Sequence, residues 1–139
     1  MEARLVFWPA VAMALLTFVV WLRMYASRVG EMRRLRIHPQ AVATSSGAAA
    51  SFVDTRAADN FRNLFELPVL FYAALGLAFA IDAVDGAVLA LAWLFVALRV
   101  AHSLIHLGAN RVMHRFVAYA AGGFVLWTLW GLLAWRLLP

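Results

Sequence analysis

The sequence predicts an all-α integral membrane protein: a single domain, residues 1–139, folded as an up-and-down bundle of four membrane-spanning helices. Of its 139 residues, 65% are hydrophobic and only 14% are charged, whereas soluble proteins are about 45–50% apolar and about 25% charged. Four apolar segments are long enough to cross a bilayer, which takes about 20 helical residues at about 1.5 Å rise each. The alternating pattern of β-strands is missing.

Polar connections separate the four predicted spans. We place the spans at about residues 5–26, 60–82, 87–107 and 114–138. The second and third are joined by DAVDG, residues 82–86, and the third and fourth by GANRVMHR, residues 108–115. Connections this short make neighbouring helices antiparallel. The first connection is much longer, and its small residues from Ala41 to Ser51 predict a flexible, irregular loop.

The distribution of arginine predicts the orientation in the membrane. All 12 basic residues are arginine, a preference that a GC-rich genome or selection for guanidinium groups would both produce. Most of them lie in the first and third connections, which an even-numbered bundle places on one side. By the positive-inside rule we expect that side to be cytoplasmic, in a bacterial inner membrane, with both termini outside. The arginines concerned are Arg28, Arg33, Arg34, Arg36, Arg56, Arg111 and Arg115.

Two stripes of polar residues interrupt the apolar spans. In the second span, polar residues recur at steps of four, three and three, which places them on one helical face. They are Arg56, Asn60, Asn63 and Glu66. In the third span, a second stripe recurs at steps of three, four and four. It consists of Arg99, His102, His106 and Asn110.

These stripes have two interpretations. Polar groups in hydrocarbon cost free energy unless paired, so we expect the stripes to face each other, with Glu66 opposite Arg99. They then either hold the helices together or bind a ligand. His102 and His106 are spaced for a metal but lack a third ligand, so no metal site is predicted. The absence of cysteine excludes a cysteine nucleophile, so any thiol must come from outside.

The motifs resemble those of the MAPEG family, the membrane-associated proteins of eicosanoid and glutathione metabolism. The second span matches the family in an Arg, an Asn-x-x-Glu and a following Pro, within RAADNFRNLFELP. The third span matches it in Arg-x-x-His and a later Arg, within RVAHSLIHLGANRVMHR. The matching residues are Arg56, Asn63, Glu66, Pro68, Arg99, His102 and Arg115. The resemblance implies a homotrimer that binds glutathione between subunits near the cytoplasmic face.

The resemblance also implies roles for individual residues. The glutathione-binding residues would be Arg62, Asn63, Glu66, Arg99 and His102. Arg115, with Arg62 and Arg99, would supply charge for the carboxylates or the thiolate. His106 is not part of the family pattern, but a histidine can act as a base near neutral pH. Three features differ from the family pattern: His106 stands where the family has a tyrosine, Asp59 stands where it has an arginine, and Pro68 follows Glu66 by two positions instead of three.

Three hypotheses for function follow. In the first, a glutathione thiolate attacks an electrophile or a peroxide dissolved in the bilayer. In the second, favoured by Asp59 and His106, the protein is a non-catalytic structural, lipid-binding or accessory subunit of a larger membrane complex. In the third, Glu66 relays protons in a small exporter. The expected partners are membrane lipids and further copies of the chain, with no nucleic acid. The cluster Arg33, Arg34 and Arg36 predicts contact with lipid headgroups.

Overall fold

The computed structural model describes residues 2–138, and within this range it contains helices and connections but no strand. The α-helices are α1 (Phe7–Leu35), α2 (Ser45–Ser51), α3 (Arg56–Asn63), α4 (Leu67–Ala80), α5 (Gly86–Leu107) and α6 (Val112–Arg136). Four stretches are long and apolar enough to cross a membrane: Ala3–Leu35, Arg56–Ala80, Gly86–Leu107 and Val112–Arg136. The predicted all-α fold with four spans is therefore confirmed.

The four spans share one apolar core. At its centre the rings of Phe71 from α4 and Phe95 from α5 stack with centroids 4.5 Å apart and planes 22° apart. Lipid tails are as apolar as these side chains, so close van der Waals packing holds the helices together rather than exclusion of water. Fully buried members of the core include Val6, Met13, Val20, Ala74, Val88, Ala92, Leu126, Leu129 and Leu133.

The first helix is longer than the apolar segment that predicted it. Hydropathy placed the end of the first span near residue 26, whereas α1 continues to Leu35. It ends where Arg36 adopts a left-handed conformation with φ 53°, and the N–H groups of Arg36 and Ile37 both donate to the carbonyl of Met32. At about 1.5 Å per residue the 29 residues of α1 extend about 43 Å, which exceeds a hydrocarbon core of about 30 Å.

The long first connection is more ordered than its composition suggested. We expected an irregular loop from Ala41 to Ser51, and this prediction is wrong, because a 3-10 turn at Pro39–Val42 and the helix α2 occupy the segment. The hydroxyl of Thr44 caps α2 by accepting the N–H of Gly47 at 3.1 Å. Alanine, the strongest helix former, makes up three of the seven residues of α2. Gly47 is required there, since a Cβ would lie 2.3 Å from the carbonyl oxygen of Ala41.

A polar network ties this connection to the helices around it. The buried carboxylate of Glu31 on α1 accepts the backbone N–H groups of Val53 and Asp54, each at 3.3 Å from Oε1. Asp54 in turn binds Arg56 through both carboxylate oxygens, at 2.9 and 2.8 Å. Arg56 also donates to the carbonyl of Gly108 at 2.9 Å. The start of α3 and the end of α5 are thereby held at one end of the bundle, which we call the Arg-rich end.

The second span is broken near the Arg-rich end. The sequence predicted one helix over residues 60–82, but α3 ends at Asn63 and α4 begins at Leu67. Pro68 explains the break, because it has no N–H to donate to the carbonyl of Leu64 and its ring clashes with a continuous helix. Glu66 therefore lies in the turn between the two helices, with φ −93° and ψ −102°.

The opposite end is closed by Asp85. Its carboxylate accepts the N–H of Val88 at 2.9 Å and so caps α5, and it also pairs with Arg136 at the end of α6. Arg136 donates a second hydrogen bond, to the carbonyl of Ala83 at 2.6 Å. The Val88 N–H and the nearby guanidinium together hold the pKa of Asp85 below its usual value. Asp85 therefore joins the turn after α4 to both following helices.

We expect Asp85→Ala to lower the free energy of unfolding by about 1–2 kcal/mol, because it removes a helix cap and an ion pair. Asp85→Asn should lower the free energy of unfolding less, since an asparagine side chain can still cap α5. Because folding lowers the pKa of Asp85, its ionic contribution is present above the ordinary value of 3.8 and declines as the pH falls below it. Denaturant titration of the detergent-solubilised protein measures both effects. Asp82→Asn, at an exposed neighbouring position, is the control. If Asp85→Asn and Asp85→Ala lowered the free energy of unfolding equally, capping by residue 85 would contribute nothing.

Candidate functional site

A cleft opens on the side of the bundle near the Arg-rich end, where the turn before α4 meets α5 and α6. We call it the α4–α6 cleft, and its volume is about 240 Å³. It is mainly polar on the α3–α4 side and mixed on the α6 side. The lining residues are Asn63, Glu66, His102, Val112, Arg115, Phe116 and Tyr119.

Glu66 is held by a tyrosine rather than by an arginine. The hydroxyl of Tyr119 donates to Oε2 of Glu66 at 3.1 Å, which links the break in the second span to α6. We expected Glu66 to pair with Arg99, and no such ion pair is formed within the described range. The break at Pro68 turns the carboxylate outward, so Glu66 is exposed at the side of a membrane-spanning segment.

Arg99 lies directly behind Tyr119 in the core. Its side chain is 1% exposed, and its guanidinium carbon lies 4.7 Å from the ring centroid of Tyr119 and 5.3 Å from that of Phe95. Ring faces are negative, so they stabilise a cation that has left water. Space for it comes from Gly122 on α6, where an added Cβ would lie 3.6 Å from Nε. None of its three nitrogens has a hydrogen-bond partner, so its charge remains available to a nearby anion.

Arg115 is positioned by two contacts at the start of α6. Its guanidinium donates to Oδ1 of Asn110 at 2.8 Å, and its backbone carbonyl lies 3.1 Å from Nδ1 of His102. A carbonyl can only accept, so Nδ1 of His102 carries the proton and, in the neutral ring, Nε2 is the acceptor. Nε2 is buried and unpaired. These contacts place a guanidinium at the rim of the cleft.

Two of the predicted site residues lie elsewhere. His106 is only 2% exposed and lies behind His102, with ring centroids 5.5 Å apart, so it does not line the cleft. Arg62 faces away from the cleft and forms an ion pair with Asp59 at 3.5 Å. The structure therefore brings Asn63, Glu66, His102 and Arg115 together around the cleft, places Arg99 one layer behind it, and leaves Arg62 and His106 outside it.

Sequence reasoning missed Tyr119, the residue at the centre of this arrangement. The signal was present: Tyr119 follows Arg115 by four residues, so a helix places both on one face, and it is the one tyrosine of the fourth span. Asn60 and Ser103 were also not assigned a shared role, although Ser103 donates to Oδ1 of Asn60 at 3.2 Å and joins α5 to α3. Within residues 2–138 no group of three or more histidine or carboxylate side chains is placed to hold a metal ion.

Comparison with known proteins agrees with the motifs. The model of the MAPEG family matches residues 6–135. No curated protein and no solved structure matches the chain. The match extends over all four spans and includes every residue of the α4–α6 cleft. This protein is therefore an integral membrane protein that belongs to the MAPEG family.

Proposed function

We propose that the protein binds glutathione in the α4–α6 cleft and transfers it to lipophilic electrophiles, or uses it to reduce peroxides, within the bilayer. The observation that supports this most directly is that an exposed carboxylate, Glu66, and a rim guanidinium, Arg115, line the same cleft beside the buried charge of Arg99. Glutathione carries an ammonium group, two carboxylates and a thiol, so it needs acceptors and cations at a short distance from each other.

Several polar residues in and behind the cleft have roles in this proposal. Glu66 accepts the ammonium group of the tripeptide, and Asn63 binds one of its amides. Arg115 binds the thiolate, and this charge-assisted contact favours loss of the thiol proton to water. The thiolate sulfur then forms a bond to an electrophilic carbon, and the leaving group departs with the electron pair of the broken bond. Arg99 and Tyr119 shape the back wall and make the potential there more positive.

The cleft of one chain is incomplete, which supports assembly as a homotrimer. Its volume of about 240 Å³ lies below the range of roughly 300–1,000 Å³ typical of small-molecule sites. Glu66 is also exposed at the side of a spanning segment, where contact with lipid would leave its carboxylate without solvation. A neighbouring copy of the chain would cover Glu66 and supply the missing wall. We propose that the Arg-rich end, and with it the cleft, faces the cytoplasm of a bacterial inner membrane.

A non-catalytic role is the second candidate. It is favoured by the positions of His106 and Arg62, which we predicted from the sequence to act in catalysis and glutathione binding but which lie outside the cleft. In that case the polar cleft would serve as a contact for another subunit of a membrane complex, and Glu66 and Arg115 would bind groups of that partner. The two candidates differ in whether free glutathione binds.

We expect glutathione to raise the Tm of the detergent-solubilised protein, because a ligand that binds only the folded state stabilises it by about 2.7 kcal/mol at a hundredfold excess over Kd. Arg115→Gln should weaken binding about 10- to 100-fold, since it removes a charge-assisted hydrogen bond of about 1.5–3 kcal/mol. Arg111→Gln is the matched control: it removes the same charge from an exposed position outside the cleft.

Three results are informative. A glutathione-dependent shift that is retained in Arg111→Gln and lost in Arg115→Gln supports binding in the cleft. A shift that both variants reduce equally would indicate a non-specific effect of charge. No shift at millimolar glutathione would remove glutathione from the function and favour the accessory subunit.

Arg99→Met separates binding from folding. Methionine fills a similar volume without a buried charge, and replacing a buried charge with an apolar side chain is often neutral or stabilising. We therefore expect the Tm without ligand to stay the same or rise, while the shift produced by glutathione falls by at least half. Thermal unfolding with and without glutathione measures both. A large drop in Tm without ligand would instead mean that the charge of Arg99 holds α5 and α6 together.

The proposed orientation is open to a direct test, because the native chain has no cysteine. Single cysteines at Ser46, in the first connection, and at Ala87, at the opposite end, should react with a membrane-impermeant maleimide from opposite sides. In intact cells we expect Ala87→Cys to be labelled and Ser46→Cys to be protected until the membrane is opened. The reverse pattern would place the Arg-rich end outside.

A further inference from the structure

A second cleft lies at the Arg-rich end between α1, α2 and α3. We propose that this α1–α3 cleft binds the phosphate of an anionic phospholipid through Arg28, with an acyl chain lying along the aromatic face of α1. The cleft is small, about 80 Å³, and it is distinct from the α4–α6 cleft, with which it shares no residue. Its lining residues are Arg28, Ser45, Ala48, Ala49, Phe52, Asp54, Thr55, Ala58, Asp59 and Arg62.

The charges around the α1–α3 cleft leave one cation without a partner. Asp54 is bound by Arg56, which lowers the pKa of Asp54 to about 2 and keeps it ionised, and Asp59 forms an ion pair with Arg62. Arg28 takes part in no ion pair within residues 2–138. Among the charged side chains that line the cleft in residues 2–138, Arg28 alone has no ion-pair partner. Its single positive charge is opposite to the single negative charge of a phosphodiester.

Arg28 is held in a position suited to binding. Its guanidinium carbon lies 5.7 Å from the ring centroid of Phe52, and its side chain is half-buried between α1 and the connection. Contact with a ring face restrains the guanidinium and leaves its N–H groups at the ring's edge for an acceptor. Hydroxyl groups of Ser45 and Thr55 also line the cleft and can donate to phosphate oxygens. Less side-chain freedom is then lost when an anion binds.

The depth of the cleft matches that of lipid phosphates. Counted from the 3-10 turn at Ala3, a hydrocarbon core of about 30 Å ends near Arg23. The last turns of α1, which include Arg28, therefore lie at the level of the headgroups. This position favours a lipid phosphate over one dissolved in water.

The surface of α1 below Arg28 offers a path for an acyl chain. Phe18, Trp21 and Tyr25 precede Arg28 at steps of three, four and three residues, so all four lie on one helical face. These three aromatic side chains are exposed, and the rings of Trp21 and Tyr25 contact each other with centroids 4.8 Å apart. Amphipathic rings of this kind are typical of the membrane interface. A single lipid would thus meet an apolar strip and, above it, a cation.

The surrounding arginines favour an anionic headgroup over a zwitterionic one. Arg33, Arg34 and Arg36 are exposed on the last turn of α1 and at its end, and they would repel the ammonium group of phosphatidylcholine or phosphatidylethanolamine. A glycerol headgroup carries no positive charge and meets no such repulsion. Phosphatidylglycerol therefore has the chemistry that this site selects.

The test is thermal unfolding of the detergent-solubilised protein with dioctanoyl phosphatidylglycerol. We expect it to raise the Tm of the wild type, and we expect Arg28→Gln to weaken the apparent affinity about tenfold or more. Arg111→Gln removes the same charge from an exposed position outside both clefts and should retain the effect. Dioctanoyl phosphatidylcholine and inorganic phosphate should each shift the Tm only slightly. Trp21→Ala should lower the apparent affinity for phosphatidylglycerol without changing the small Tm shift that inorganic phosphate produces.

Several outcomes would overturn the proposal. Equal weakening in Arg28→Gln and Arg111→Gln would show that lipid binding depends only on the overall charge of the protein. A shift with phosphatidylcholine as large as that with phosphatidylglycerol would exclude selection of the anion, and a strong shift with inorganic phosphate would identify a site for a soluble ion. Glutathione binding in Arg28→Gln should equal that of the wild type, so failure of this proposal is distinguishable from failure of the glutathione site.

Discussion

A guanidinium buried in the membrane is the constraint on which the centre of this protein depends. Arg99 lies about 20 Å along α5 from its first residue, and a cation at that depth needs compensation. Two ring faces, Phe95 and Tyr119, provide it, and Gly122 lets the backbone of α6 approach closely. The contact places the Tyr119 ring against the guanidinium and thereby sets the direction of its hydroxyl. That hydroxyl binds Glu66, so the position of the carboxylate depends on the buried cation through one side chain.

The break in the second span brings Glu66 to that hydroxyl. A continuous helix would carry Glu66 on the same face as Asn63 and Asn60, towards α5, where Ser103 already binds Asn60. Pro68 interrupts the helix, and the carboxylate leaves the interior for the side of the bundle. The start of α3 cannot move in response, because Arg56 ties it to the carbonyl of Gly108. The break in the span thus lies at residues 64–66, next to the cleft.

The short helix α3 separates two clefts of different character. Asn63 faces the α4–α6 cleft, whereas Arg62 lines the α1–α3 cleft, since neighbouring positions on a helix point about 100° apart. Between them lies a buried layer that contains Asn60. One cleft therefore opens to the side of the bundle beside Arg115, and the other opens towards the headgroups beside Arg28. The two clefts share no residue, so the proposed lipid and the proposed tripeptide would not compete for the same side chains.

The sequence by itself determined the fold class, the four spans, the two polar stripes and the family, because hydropathy and helical spacing are local properties of the chain. It also identified Asn63, Glu66, His102 and Arg115, which the fold brings to one cleft. Tertiary structure decided which stripe residues meet. Helical spacing shows that two residues share a face but not how far that face is rotated towards a neighbour. The rotation of α3, α5 and α6, together with the break at Pro68, decides three features of the site. These are the hydrogen bond between Tyr119 and Glu66, the burial of His106 and the outward direction of Arg62. Composition likewise predicted a loop at Ala41–Ser51, where a cap by Thr44 and anchoring through Glu31 stabilise a helix and fix the chain that follows it.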